Sequence, residues 1–76
     1  MKNLVMKIDG MQSDSGARKI ISVLLTIENV VDIFIELEES KIIVAYEDDI
    51  DIENIKKMIE DIGFNVVEAN SIMPLN

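Results

Sequence analysis

Leu4-Val5-Met6-Lys7-Ile8-Asp9-Gly10 runs, after Met11-Gln12, into Ser13-Asp14-Ser15-Gly16-Ala17 and then Ile20, Ile21 and Leu24. In the first stretch Leu4, Met6 and Ile8 alternate with Val5 and Lys7, the period of a strand that buries one face. Beyond Ser13 the period changes. Ala17, Ile20, Ile21 and Leu24 fall at i, i+3, i+4 and i+7, the apolar stripe of an α-helix. Ser13 or Asp14 can cap that helix by accepting from the free N–H groups of its first turn. The helix is expected to end near Ile27-Glu28-Asn29.

The same two periods recur downstream. Val31, Ile33, Ile35 and Leu37 alternate with Asp32, Phe34, Glu36 and Glu38. A polar turn, Glu38-Glu39-Ser40-Lys41, leads into Ile42-Ile43-Val44-Ala45-Tyr46, which is β-branched and aromatic as a strand prefers. This reads as a hairpin. Asp51 then caps a second helix with the stripe Ile55, Met58, Ile59 and Ile62. Gly63 is the natural left-handed residue after it, having no Cβ to clash. Phe64–Glu68 supplies a short last strand, and 69–76 is expected to be a tail, because Pro74 is unsuited to a central strand. Residues 1–68 thus form a single domain of split βαβ type.

Handedness fixes the topology. Each β–helix–β connection should cross over right-handedly, leaving room for one strand between the first and second. The third strand, tied to the second by a hairpin, fills that gap. The expected fold is α+β, a ferredoxin-like βαββαβ sandwich with antiparallel sheet order 4-1-3-2 and both helices on one face. Leu4, Met6, Ile8, Ile33, Ile35, Leu37, Ile43 and Ala45 are then expected to point inward, with the two helical stripes. Val5, Phe34, Ile42, Val44 and Tyr46 are expected on the outer face, a contiguous apolar patch of the kind that marks interfaces. A protein partner or a second copy of the chain would cover it; the alternatives are that Ile72-Met73-Pro74-Leu75 folds back over it, or that it stays bare. The same topology puts the 10–16 loop, the 38–41 hairpin and Gly63-Phe64 at one end, and the 47–53 run with both termini at the other.

Composition narrows the function. Apolar residues make up 49% of the 76 and charged residues 29%, a globular balance that a core without staples can hold. There is no cysteine and no histidine, hence no disulfide, no thiolate site and no redox couple. Met1-Lys2-Asn3 opens no signal-type apolar stretch, and no apolar run approaches a membrane span, so membrane insertion is not expected and a cytoplasmic location is. Net charge is −8, and all of the excess lies beyond residue 35, with Glu47, Asp48, Asp49, Asp51 and Glu53 in one cluster. Nucleic-acid binding, which releases counterions through clustered Lys and Arg, is disfavoured.

The order Ile8-Asp9-Gly10-Met11, a helix, Val31–Leu37, Ile43–Tyr46 and Ile59-Glu60-Asp61-Ile62-Gly63-Phe64 resembles the heavy-metal-associated domain, the family of small copper chaperones and the N-terminal domains of copper-transporting P-type ATPases. The resemblance covers residues 3–68. It implies a loop of the form G-M-x-C-x-x-C, whose two thiolates bind a soft monovalent ion at a helix N-terminus. Here the cysteine positions fall on Ser13 and Gly16. A serine hydroxyl is a hard, neutral ligand and glycine has no side chain, so tight soft-metal binding is not expected. By the same resemblance Met11 packs into the core, and Phe64, whose counterpart shields the metal, caps an empty pocket.

Other chemistries find no support. No histidine activates any serine, which removes triad catalysis. Asp48-Asp49-x-Asp51 lacks the glycine and terminal Glu of a calcium loop. No enzyme activity and no cofactor are expected. The first functional expectation is a degenerate metal-carrier fold that acts as a protein-interaction or regulatory module. The alternatives are a metal-homeostasis protein using unconventional ligands, and a small-ligand-binding regulatory domain.

Overall fold

The computed structural model describes residues 2–11 and 13–72. Along them run β1 (Lys2–Asp9), α1 (Asp14–Leu24), β2 (Val30–Glu36), β3 (Lys41–Tyr46), α2 (Ile52–Asp61) and β4 (Asn65–Ile72). The strands form one sheet in the order β2-β3-β1-β4, every neighbouring pair antiparallel. This is the ferredoxin-like βαββαβ arrangement expected above. Split connections give the central positions to β3 and β1, and leave β2 and β4 as edges.

Local chemistry starts and stops the helices. Ser13 caps α1, its Oγ accepting from the Gly16 N–H at 3.2 Å. Asp51 caps α2 in the same way, Oδ1 accepting from the Asn54 N–H at 3.1 Å. Regular α-helix ends at Leu24, earlier than the apolar pattern implies. The chain then tightens into i→i−3 bonds, Thr26 N–H to Val23 O at 3.2 Å and Ile27 N–H to Leu24 O at 3.1 Å, which satisfy carbonyls that a helix end leaves free. Gly63, at φ +100°, turns the chain from α2 into β4, a conformation in which a Cβ would be strained.

The core lies between the helices and one face of the sheet. Leu4, Met6 and Ile8 of β1 meet Ile20 and Leu24 of α1, Ile55 and Ile59 of α2, and Val66 of β4. Strand β3 contributes Ile42, Val44 and Tyr46, which are almost completely buried in this same cluster. That corrects the expectation that these three lie on the outer face. The pairing shows why: Ile42 stands opposite Met6 and Val44 opposite Leu4, and directly opposed residues share a face. Ile43, expected inward, stands opposite Val5 on the outer face, and Ala45 opposite Asn3. Every position from 42 to 46 is apolar, so the sequence has no polar alternation with which to choose between two registers one residue apart.

Two further differences arise at irregularities. A bulge between Val30 and Asp32 interrupts the alternation that runs from Val31 to Leu37, and Val31 is exposed. Strand β4 runs on to Ile72, four residues past Glu68, because β1 offers ladder partners as far as Asn3. The hydroxyls of Tyr46 and Ser71 hydrogen-bond across β1 and hold this extension to the sheet. The suggestion that Ile72-Met73-Pro74-Leu75 folds back over the outer face meets Ile72 paired with Asn3 as the last residue of β4, and its other residues lie outside the described ones.

Candidate functional site: a ligand-free loop

The loop that follows β1 sits where the expected topology puts it. Ile8 N–H donates to Ser40 O at 2.8 Å, joining the end of β1 to the 36–41 hairpin. Phe64, just beyond α2, lies against the loop: a Cβ built on Gly10 would stand 3.7 Å from its ring, and one built on Gly16 would stand 3.2 and 3.3 Å from two of its carbons. Ser13, Gly16 and Phe64 therefore come together, as the resemblance implies. The ring does not cap an empty pocket. It fills the space a side chain at residue 16 would enter, at a separation tighter than an ordinary van der Waals contact.

What remains does not fit a soft metal ion. The Ser13 hydroxyl already accepts the helix N–H of Gly16 and carries no charge. Gly16 offers no donor atom. Met11, whose thioether adjoins the loop in sequence, is fully buried in the core cluster. Among the described residues no group of three His, Cys, Asp or Glu side chains is placed to hold a metal.

The acidic run is engaged in structure at the opposite end. Lys2 Nζ donates to Asp48 O at 3.0 Å and lies 3.5 Å from the Asp49 carboxylate. Asn29, in a left-handed conformation, donates from Nδ2 to Asp49 O at 2.9 Å, and its own carbonyl accepts from Glu47 N–H at 2.9 Å. These bonds tie together the turn after α1, the acidic loop and the start of β1.

The outer sheet face is smaller and more polar than expected. Of the five predicted interface residues, Val5 and Phe34 lie on it, while Ile42, Val44 and Tyr46 belong to the core. The pairing lays out its rows across the sheet: Glu36, Lys41, Lys7 and Glu68; then Phe34, Ile43, Val5 and Asn70; then Asp32, Ala45, Asn3 and Ile72. The apolar part is the short run Phe34, Ile43 and Val5, with Ala45 and Ile72 in the next row separated by Asn3.

A feature missed from the sequence is a groove of about 370 Å³ between α1 and β2, lined by Asp14, Ala17, Arg18, Ile21, Ile35 and Leu37. Its apolar members all have core-like spacing in sequence. Only the edge position of β2 leaves Ile21, Ile35 and Leu37 half-covered.

Residues 5–65 match the family model described as the heavy-metal-associated domain. Among solved structures, the chain is similar to the CopZ metallochaperone at 27% identity and a TM-score of 0.79, covering 86% of this chain and 98% of that one. It is similar in fold to the yeast copper transporter domain Ccc2a, 23% identical with a TM-score of 0.80 over 90% of this chain and 97% of that one. The match to the Atx1-Cu(I)-Ccc2a complex is 21% identical with a TM-score of 0.75, covering 90% of this chain and 97% of that one. No curated protein matches the sequence. No helix among the described residues is long and apolar enough to cross a membrane.

Proposed function

The chain belongs to the heavy-metal-associated domain family, and from that premise we propose that it has relinquished soft-metal carriage and acts as a protein-interaction or regulatory module. One observation carries the reading. At the two positions where the family supplies thiolates, a serine is used as a helix cap and a glycine is overlaid by an aromatic ring. The scaffold around the loop is intact, so what has changed is the donor set. Domains of this fold also meet other proteins, as the Atx1-Cu(I)-Ccc2a complex shows for its own members. Contact with a partner is the part of such a role that needs no thiolate.

The test is a titration with cuprous ion under reducing conditions against a competing chelator. The chain is expected to form no stoichiometric complex that survives the competitor. A stable 1:1 complex would overturn the proposal and favour unconventional ligands. In the same assay Ser13→Cys with Gly16→Cys is expected to gain binding. It requires the half-buried Phe64 ring to yield by a few tenths of an ångström, which a side chain at a loop surface can do.

A further inference from the structure

We propose that the groove between α1 and the open edge of β2 accepts an extended peptide segment of a partner protein, with apolar side chains at alternate positions and basic residues at the end nearest the 36–39 hairpin. The proposal deepens the protein-contact reading above and rests on it.

The first support is the edge itself. Among the described residues β2 has a ladder partner on one side only. The Ile33 N–H donates to the side chain of its neighbour, Asp32 Oδ1, at 2.9 Å. That N–H is therefore turned away from β3, and antiparallel alternation turns the N–H and C=O of Ile35 to the same open side. Asp32 occupies one of these edge donors locally, a device that discourages indiscriminate pairing. It leaves the Ile35 position for an added strand.

The second support is what lies beside that position. An added strand continues the pleat, so alternate side chains fall on the helix face, level with Ile33 and Ile35. On that face is the groove, lined by Asp14, Ala17, Arg18 and Ile21 of α1 on one side and by Ile35 and Leu37 on the other. Backbone bonds to β2 would supply affinity, and the apolar walls would select side chains.

Charge selects the occupant. Leu37 also lines an adjoining hollow of about 330 Å³ whose other walls are Glu36, Glu38 and Glu39. Lys41 pairs with Glu39 at 3.2 Å and with Glu36 at 3.7 Å, and Lys7, opposite Lys41, also acts on Glu39; two cations against Glu36, Glu38 and Glu39 leave the rim net negative. A peptide with Lys or Arg at this end is complementary to it. A second copy of this chain is not. Two-fold pairing of β2 with itself about Phe34 or Ile35, the registers that use the free Ile35 edge, sets Asp32 against Glu36 or Glu38 of the other copy, and like charges directly opposed are destabilising.

The probe is a synthetic peptide alternating Val and Thr over about six residues and ending in Lys-Lys, titrated into isotope-labelled protein and followed by NMR. Shifts are expected at Asp14–Ile21 and Ile33–Glu38, with slowed amide exchange at Ile35. Two N-methylated versions, each blocking one alternate set of peptide amides, are expected to differ: one set abolishes binding and the other is tolerated. Replacing Lys-Lys by Glu-Glu, or Glu38→Lys in the protein, is expected to weaken binding by about tenfold at low salt. No shifts at millimolar peptide, equal binding by both methylated versions, or shifts mapped to Val5 and Ile43 would overturn the proposal. That last outcome moves the contact to the outer face and leaves the protein-contact reading standing. A tight cuprous complex of the unmodified chain would overturn the protein-contact reading without touching the peptide result.

Discussion

The two faces of this sheet are built from the same four strands and do opposite work. On the helix face, Ile35, Ile42, Met6 and Ala69 form one row across the sheet, and Ile33, Val44, Leu4 and Ser71 the next. Ile42, Met6, Val44 and Leu4 are completely inaccessible to solvent. On the outer face the rows carry charged or amide side chains among the apolar ones, and Phe34, Ile43 and Val5 make the one run of three apolar residues. Phe34 remains 53% exposed. Ile42 and Ile43, the same residue type one position apart in β3, therefore differ in burial, the first fully covered and the second half-buried. Side-chain type alone says little in such a strand; the register sets its energetics.

The sharpest way to break this comparison is a charge on each face of β3. Ile42→Asp puts a carboxylate into the dry cluster around Met6, with no cation or hydrogen-bond donor to meet it. A loss of more than about 4 kcal/mol is expected, enough to unfold most domains of this size. Ile43→Asp, one residue on, faces outward beside Val5 and Phe34 and should cost about 1 kcal/mol or less. Urea unfolding of the two variants reads the difference directly. Equal tolerance of both would mean that the β3 register is wrong. A milder form of the comparison uses β1, where Met6→Ala should cost about 2–5 kcal/mol through lost burial and a cavity, and Val5→Ala well under half of that.

Why some of this was legible beforehand and some not follows from how polar residues mark a face. In β1, Lys7 and Asp9 alternate with Met6 and Ile8, so the inward set there could be chosen correctly. In the helices charged residues flank the stripes, and Ala17, Ile20, Leu24, Ile55 and Ile59 are buried as expected, whereas Ile21 and Met58 are half-buried and Ile62, at the end of the α2 stripe, stays exposed. The capping residues Ser13 and Asp51 and the glycine at 63 were legible because few residue types suit those positions. In β3, five apolar residues in succession carry no such mark, and the choice between Ile42 and Ile43 depended on pairing that only the folded sheet supplies. The bulge after Val30 is equally silent in sequence. At the loop, the missing thiolates were evident from Ser13 and Gly16, but the approach of the Phe64 ring to Gly16 was not. Where that ring lies belongs to packing rather than to pattern.

A smaller effect probes how the far end of β4 joins the inner face. Ser71→Ala and Tyr46→Phe each remove one hydroxyl of the pair that bridges β1. Either should cost about 0.5–1.5 kcal/mol, and faster amide exchange should appear at residues 69–72 while the β1–β3 amides stay protected. Uniform loss of protection over the whole sheet would mean that the extension is part of one cooperative unit instead of an appended one.

The smallest effect is electrostatic and belongs to the charged outer row. A hydrogen bond with the Glu36 carboxyl, and then the Lys41 ammonium beside it, hold the Glu39 carboxyl below its ordinary value of 4.5. Lys41, bonded to Glu39 and facing Glu36, is held above its ordinary 10.5. A carboxyl whose folded value is depressed adds stability that is present above the unfolded value and lost as pH falls through the folded one. An ammonium whose folded value is raised adds stability that is complete below 10.5 and lost as pH rises through the folded one. The hairpin should therefore be best held between these limits, loosening in acid and again in strong base. Because the groups are solvent-exposed, the change should be slight and should fade with added salt. An NMR titration of the Glu39 carboxyl carbon reads it without relying on global unfolding. Lys41→Met should move the Glu39 midpoint back up toward 4.5 while leaving the buried rows unaltered. A midpoint that does not move would show that Lys41 is solvated apart from this row, and that the outer face lacks even this much internal order.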